Sequence, residues 1–331
     1  MGDSMSKDQI ATKSPTMTEE MQRGIAEIGY TDPELGKILQ SFGEKIAAHT
    51  EAELPETKPP AKVIQLPLWA ENRRAAPNAV FRSALFPALK FKERRPFLQE
   101  QAIPAVAGIE VSFTGQRFDQ SDLDVYLELL DLARFHPLGT ECSFSAHGLL
   151  KRLHRATGYS DHKWLHSVLI RLRGSTVEIS DHKLSYFGGL IEGGFKDKLD
   201  RHYRVTINPK FAVLFGFAMW SSINREQRYA LGRNATAKAL HAYYSTHVQP
   251  GAHSFETLAR IVGLEEKRER DRRRRLIDAH KLLASPDVRF LRDYTVSDDG
   301  RTIKVDIHPT PGQAHHIVKQ AIQRRQKRLR R

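Results

Sequence analysis

Residues 145–172 read SAHGLLKRLHRATGYSDHKWLHSVLIRL, and residues 254–283 read SFETLARIVGLEEKRERDRRRRLIDAHKLL. Each stretch begins with a serine suited to cap a helix, continues as a short apolar helix, turns at a glycine and resumes as a longer cationic helix. Two β-like runs joined by a turn follow each stretch. This order predicts a winged helix, and its recurrence predicts two of them in tandem.

The whole chain is therefore predicted to have an α+β fold, with two tandem winged-helix domains between a flexible N-terminal region and a basic C-terminal helix. Residues 1–60 form the flexible acidic N-terminal region and residues 61–78 a linker. Residues 79–220 form winged-helix domain 1. Residues 221–331 form winged-helix domain 2 with its basic C-terminal tail.

The strands of the two wings are predicted from their alternating apolar residues. In the first domain they are residues 176–179 and 203–207, and the glycine-rich stretch 188–194 is the flexible tip between them. That stretch lacks the Gly-Lys-Ser/Thr ending of a phosphate-binding loop. In the second domain the strands are residues 289–296 and 302–307, joined by a turn that ends at Gly300.

A long helix precedes the first repeat, with Asp119 or Ser121 as its cap. It carries Leu123 and Leu127 on one face and Leu129 on the other. A helix that is apolar on two sides must be covered on two sides. We expect it either to lie sandwiched within its domain or to contribute to a self-association surface.

The positive charge of the chain is unevenly distributed. The sequence has 331 residues, with 52 Lys and Arg against 39 Asp and Glu, a net charge of +13. Residues 1–60 hold 6 basic and 11 acidic side chains and so carry −5, whereas residues 61–331 hold 46 and 28 and carry +18. A positive excess confined to the folded part favours a polyanionic partner such as double-stranded DNA, although a basic surface can also serve solubility alone.

Other function classes find little support in the sequence. The single cysteine, Cys142, excludes an intrachain disulfide, and no run of about 18 apolar residues predicts a membrane span, so we expect a soluble cytoplasmic protein with no membrane partner. His162 and His166 have no third ligand at a metal spacing. We therefore expect no metal, no cofactor and no catalytic residues, and we expect that the protein is not an enzyme.

Projecting each second helix at about 100° per residue separates its inward face from its outward face. The outward residues of the first are Lys163, His166, Ser167, Ile170 and Arg171. The outward cations of the second are Lys267, Arg270, Arg274 and Lys281, with Asp278 among them. Because a helix fits the major groove and Arg and Lys suit guanine and phosphate, we predict that Lys163, His166, Ser167, Arg171 and the four cations of the second helix bind DNA. The alternative is a solvated face with ion pairs such as Glu266 with Arg270.

The pentapeptide Gln65–Trp69, Gln-Leu-Pro-Leu-Trp, lies within the linker of residues 61–78, shortly after Pro59 and Pro60. It resembles the bacterial sliding-clamp-binding motif, whose usual form is Gln-Leu, then Ser or Asp, then Leu-Phe. The resemblance implies clamp binding by Gln65, Leu66, Leu68 and Trp69. The alternative is that Leu68 and Trp69 pack on the first domain.

Together, the clamp-like peptide, the paired helix-turn-helix stretches and the basic surface resemble the TrfA family of broad-host-range plasmid replication initiators. The resemblance runs from about Val63 to Arg331 and includes residues 82–86, Arg-Ser-Ala-Leu-Phe, and residues 186–190, Tyr-Phe-Gly-Gly-Leu. It implies binding to repeated origin sequences (iterons), opening of an adjacent AT-rich region with contact to single-stranded origin DNA, and recruitment of the host initiator, replicative helicase and sliding clamp. It also implies copy-number control and a homodimer in equilibrium with the monomer.

Two other functions remain open from the sequence. A winged-helix transcriptional repressor would need only DNA binding, and the clamp-like peptide argues against it. A nuclease or recombinase would need a nucleophile within an arginine cluster, and no such set is recognisable.

Overall fold

The computed structural model describes residues 65–91, 94–180, 185–197, 201–216 and 219–309, together with the single positions Pro33, Lys37, Ser41 and Gln313. The predicted N-terminal region, apart from three of those single positions, lies outside the described residues. The same is true of the basic run 319–331.

The described residues from 65 to 309 form eight helices and twelve strands, together with one 3₁₀ helix. The helices are α1 (Asn78–Phe81), α2 (Gln120–Ala133), α3 (Ala146–Arg152), α4 (Tyr159–Gly174), α5 (Arg225–Ala230), α6 (Ala235–Ser245), α7 (Phe255–Ile261) and α8 (Glu269–Leu283). The strands are β1 (Arg73–Pro77), β2 (Phe97–Ala102), β3 (Glu110–Gln116), β4 (Glu141–Ser145), β5 (Thr176–Ser180), β6 (Ser185–Gly188), β7 (Ile191–Lys196), β8 (His202–Ile207), β9 (Trp220–Asn224), β10 (His253–Ser254), β11 (Leu291–Val296) and β12 (Thr302–Ile307). A 3₁₀ helix spans Pro209–Phe215.

Helix starts follow the capping residues that the sequence predicts. The Ser145 hydroxyl accepts a hydrogen bond from the Gly148 amide at the start of α3, and the Ser254 hydroxyl does the same for Thr257 in α7. Asp119, rather than Ser121, caps α2, in a reciprocal arrangement with Asp122. These side chains satisfy amides that have no partner within the helix, which explains why the helices begin where they do.

The two repeated stretches lie in modules with the same order of elements. The first module comprises α2, β4, α3, α4, β7 and β8, and its three strands form an antiparallel sheet in the order β4-β8-β7. The second module comprises α6, β10, α7, α8, β11 and β12, with its sheet in the order β10-β12-β11. In both, the strand before the helix pair lies beside the last strand of the hairpin that follows it.

The hairpin of the second module confirms the prediction, whereas the first differs. The β11 and β12 strands pair around the turn that ends at Gly300, where φ is +67°. In the first module, the predicted strand 176–179 lies instead in a separate four-stranded sheet of order β2-β3-β5-β6, with Val177 paired to Phe113 of β3. The strand that pairs with β8 is β7.

The glycine-rich stretch 188–194 is therefore not the tip of a wing. Gly188 ends β6, and Gly193 and Gly194 lie within β7. A Cβ at Gly194 would come within 2.5 Å of the carbonyl oxygen of Arg204 in β8. Glycine at this position allows the close approach of the two strands.

The described residues from 65 to 309 form one compact unit, in which two hydrophobic clusters are present. The cluster of the first module surrounds α2, and both apolar faces of this helix are covered, because Leu123 and Leu129 are buried. The alternative that α2 offers Leu129 to another subunit is therefore wrong. The predicted division at residues 220 and 221 stays a prediction.

Carboxylates of α2 are neutralised within the protein. Glu128 accepts hydrogen bonds from both Arg74 and Arg152 and from the Tyr229 hydroxyl, which lies 2.6 Å away. Asp124 accepts from Arg228 and Lys238, each at 2.6 Å. Burial alone would raise the pKa of Glu128, but Arg74 and its other partners hold that pKa below its ordinary value. These pairs tie α2 to β1, α3, α5 and α6.

Across the described part of the chain, none of the helices combines the length and the apolar character that crossing a lipid bilayer requires.

Candidate nucleic-acid interface

The α8 helix presents a row of cations to solvent. Its inward face is formed by Leu276, Ala279, His280 and Leu283, all buried. The predicted DNA-binding residues Arg270, Arg274 and Lys281 lie on the opposite side and are exposed, as is Lys267 just before the helix. The structure thus brings together the four cations that the sequence assigns to the second helix.

The outward face of α8 has mixed charge and contains a shallow depression between its side chains. Its lining residues are Glu269, Arg270, Arg273, Arg274, Ile277, Asp278 and Lys281. The sequence projection omits Arg273, whose guanidinium lies 5.3 Å from the Phe255 ring and beside Gly300 in the hairpin turn. Arg273 therefore connects the helix with the hairpin. The run of four arginines from Arg272 to Arg275 is the signal in the sequence that could have indicated it.

Ion pairing leaves much of this charge available. Glu266, the suggested partner of Arg270, pairs with Arg275 instead. Arg274 lies 3.2 Å from Asp271, and among the described residues no carboxylate pairs with Arg270. Because exposed ion pairs contribute little free energy, phosphate oxygens can replace the carboxylate of Asp271 at low cost.

The outward face of α4 carries less charge than that of α8. Lys163 is exposed, whereas His166 and Ser167 are half-buried. The Ser167 hydroxyl donates to the Trp164 carbonyl oxygen at 2.7 Å. The Tyr203 hydroxyl lies 3.3 Å from Nδ1 of His166 and links α4 to β8. Of these three predicted DNA-binding residues, only Lys163 is fully presented to solvent.

The prediction that Arg171 binds DNA is wrong. Its side chain is 9% exposed, and Nη2 donates to the Asp122 carboxylate at 2.7 Å. Arg171 lies at the edge of the buried face of α4, and α2 places a carboxylate directly against it. A cation held in a buried pair is not available to a phosphate.

His166 contributes hydrogen bonding rather than charge. Burial, together with the nearby Lys196 ammonium, lowers the pKa of His166 below its ordinary value. Lys196 of β7 also lies 5.6 Å from the Tyr203 ring. The helix α4 and the β7–β8 hairpin therefore meet at a polar junction of His166, Tyr203 and Lys196, in which the histidine is uncharged at neutral pH.

The pentapeptide Gln65–Trp69 lies in an irregular stretch, as predicted, but it is not an exposed peptide. Leu66 is buried, and the Trp69 indole packs on Phe215 and Trp220. Leu68 is 68% exposed.

Polar contacts hold this segment on α2. Trp69 Nε1 donates to the Asp131 carboxylate at 3.0 Å. Gln65 donates to the Arg134 carbonyl oxygen at 3.2 Å, and Arg134 donates to the Trp69 carbonyl oxygen. Of the two suggested clamp anchors, Trp69 is therefore held by the protein itself and Leu68 is free.

Groups that could support other chemistry are few in the described part of the chain. No set of three His, Cys, Asp or Glu side chains lies in a metal-binding arrangement there. Burial raises the pKa of the Cys142 thiol to about 11, so this thiol is protonated and a poor nucleophile at neutral pH.

A family model described as "TrfA protein" matches residues 41–299. The plasmid replication initiator protein TrfA of Escherichia coli is 26% identical over 250 residues, which cover 70% of this chain and 65% of that protein. The match thus spans just under two thirds of the relative's length.

Solved structures give weaker likenesses. Domains 2 and 3 of RctB have a TM-score of 0.48 at 12% identity, covering 70% of this chain and 98% of that one. The Pi initiator protein, solved in complex with iteron DNA, has a TM-score of 0.47 at 11% identity, covering 74% of this chain and 100% of that one.

Proposed function

Since this chain belongs to the TrfA family, we propose that it initiates plasmid replication by binding repeated sequences in double-stranded origin DNA. The observation that carries the proposal is the family match over residues 41–299. The exposed cations of α8 provide a surface suited to the duplex, since a cationic helix fits the major groove. The proposed role is binding rather than catalysis, and its setting is the cytoplasm.

Each module is proposed to be a winged helix, with α4 and α8 as the recognition helices. The shared order of elements and the shared sheet order support this interpretation. The position of Arg273, between α8 and the β11–β12 turn, supports the interpretation that helix and hairpin are two parts of one DNA-binding surface.

Footprinting on the origin of the plasmid that encodes the protein tests the proposal. An initiator of this kind should protect a regular series of repeats spaced by whole turns of the double helix. A single protected operator would instead indicate a repressor. If the protein protects no sequence at all, the proposal is wrong.

Arg270 and Arg274 are expected to contribute directly to duplex binding, because both are exposed on the outward face of α8. Replacing either by alanine should weaken specific binding by about 1–3 kcal/mol if it contacts a base, or reduce the salt slope by about one unit if it contacts a phosphate. Titrations at several salt concentrations measure both. Arg171→Lys serves as a control. Because Arg171 is buried against Asp122, this variant should leave the salt slope unchanged.

Partner recruitment forms the second part of the proposal. We propose that the bound protein helps to open an adjacent AT-rich region, contacts the resulting single strand and recruits the replicative helicase, the host initiator and the sliding clamp. Copy control by a homodimer in equilibrium with the monomer belongs to the same proposal. Because Leu129 of α2 is buried, the proposed dimer does not use that residue.

Clamp binding is proposed to use the segment Gln65–Trp69, with Leu68 as the anchor that is already accessible. Engagement of Trp69 would require its indole to leave Phe215 and Asp131. The clamp must then compete with the protein's own core for this side chain, which would weaken the complex relative to that of a free peptide.

A further inference from the structure

The helices α4 and α8 can be compared position by position through their buried faces. The buried residues Leu165, Val168, Leu169 and Leu172 of α4 follow the same spacing as Leu276, Ala279, His280 and Leu283 of α8. This spacing sets the equivalent outward positions. Lys163 then corresponds to Arg274, a cation in both helices.

At two of the equivalent outward positions, a cation of α8 is replaced in α4 by a large uncharged side chain. Where α8 has Arg270 and Lys281, α4 has Tyr159 and Ile170. Tyr159 is 82% exposed and Ile170 is 56% exposed, so neither belongs to the hydrophobic core. They are the large apolar side chains on a helix face that is otherwise polar.

Charge around these side chains favours DNA over an apolar protein partner. Lys163 lies between them on the outward face, and Arg173 lies one turn beyond Ile170, both exposed. Tyr159 and Ile170 are about 16 Å apart along the helix axis, too far to contact one base pair. In the major groove the apolar group available to such side chains is the thymine C5-methyl.

We infer that α4 reads thymine methyl groups through Tyr159 and Ile170, whereas α8 supplies the cationic contacts. The inference rests on the proposed binding of duplex DNA and assigns a sequence preference to one helix. The two modules then have different roles in binding. The contacts of α4 depend on thymine methyl groups, and the contacts of α8 depend on phosphate and guanine.

The test uses two synthetic duplexes of the repeat that footprinting identifies, one with thymine and one with deoxyuridine at every thymine position. The two duplexes have the same hydrogen-bonding groups and differ in the methyl groups. The wild-type chain should bind the thymine duplex about tenfold more tightly, as expected for the loss of a few apolar contacts. In the double variant Tyr159→Ser/Ile170→Ser this ratio should fall below about twofold.

Lys281→Ser is the matched control at the position in α8 equivalent to Ile170. It should weaken binding of both duplexes alike and keep the wild-type ratio, because a cation does not distinguish thymine from uracil. Circular dichroism should show both variants folded, since the replaced side chains are exposed.

The inference is overturned if the wild-type chain binds both duplexes equally, or if the double variant keeps a ratio above about fivefold. Retention of DNA binding with loss of a protein contact in the double variant would also overturn it, in favour of a partner surface. If the wild-type chain recognises no specific repeat, the proposed function itself fails, and that result is distinct from the others.

Discussion

Replacing Glu128 by alanine is expected to lower the free energy of unfolding by about 3–5 kcal/mol, the cost of breaking a buried ion pair from one side. The Glu128 carboxylate is 1% exposed and is bound by Arg74, Arg152 and Tyr229. Without the Glu128 carboxylate, the Arg74 guanidinium stays buried and has less negative charge around it, with Asp131 of α2 still beside it. Urea unfolding of the full chain, followed by circular dichroism, measures the change.

Glu226→Ala is the matched control for this prediction. Glu226 is 64% exposed, and its contact with Arg225 is 4.0 Å long. An exposed pair of this kind should change the stability by no more than about 0.5 kcal/mol. Equal losses in the two variants would contradict the assignment of Glu128 as the centre of a buried network.

Replacing Trp69 by alanine is expected to lower the free energy of unfolding by about 2–4 kcal/mol, because a large packed side chain and a hydrogen bond are both lost. The indole packs on Phe215 and Trp220 and donates to Asp131. Trp69→Phe keeps an aromatic ring but loses the N–H donor and part of the indole's volume, so it should cost less than the alanine variant, about 1–2 kcal/mol. Thermal and urea unfolding measure both effects.

Leu68→Ala provides the comparison, since Leu68 is exposed and its removal should leave stability within about 0.5 kcal/mol of the wild type. If the segment binds the sliding clamp, this variant should lose clamp pull-down while it keeps duplex affinity. Equal stability of the Trp69→Ala and Leu68→Ala variants would show that the segment is not packed on α2 in solution.

Features with a local physical cause were predictable from the sequence. The caps at Ser145 and Ser254 depend on a hydroxyl within reach of an amide three residues away. The β11–β12 hairpin depends on alternating apolar residues around a turn that ends at Gly300. The cationic face of α8 follows from helical periodicity, and it formed as the projection predicts.

Features that depend on distant partners were not predictable in the same way. The alternating apolar residues around Val177 predict a strand, but they do not show whether it joins the β4-β8-β7 sheet or the β2-β3-β5-β6 sheet. Pairing with β3 decides that this strand lies outside the first module. Periodicity cannot show that α2 places Asp122 against Arg171, 49 residues along the chain. That carboxylate turned a candidate DNA contact into a structural ion pair.

For the site, the two helix pairs, the inward and outward faces of α8 and the concentration of positive charge in residues 61–331 could all be predicted from the order of the residues. These follow from helix geometry, capping and composition, which act within a few residues. Which of the outward-facing residues are free became known from the folded protein. Arg171 and Trp69 are held by α2 and its neighbours, while Arg270, Tyr159 and Leu68 are exposed. The reason is that burial and ion pairing depend on which surfaces meet in three dimensions, and long-range packing determines that.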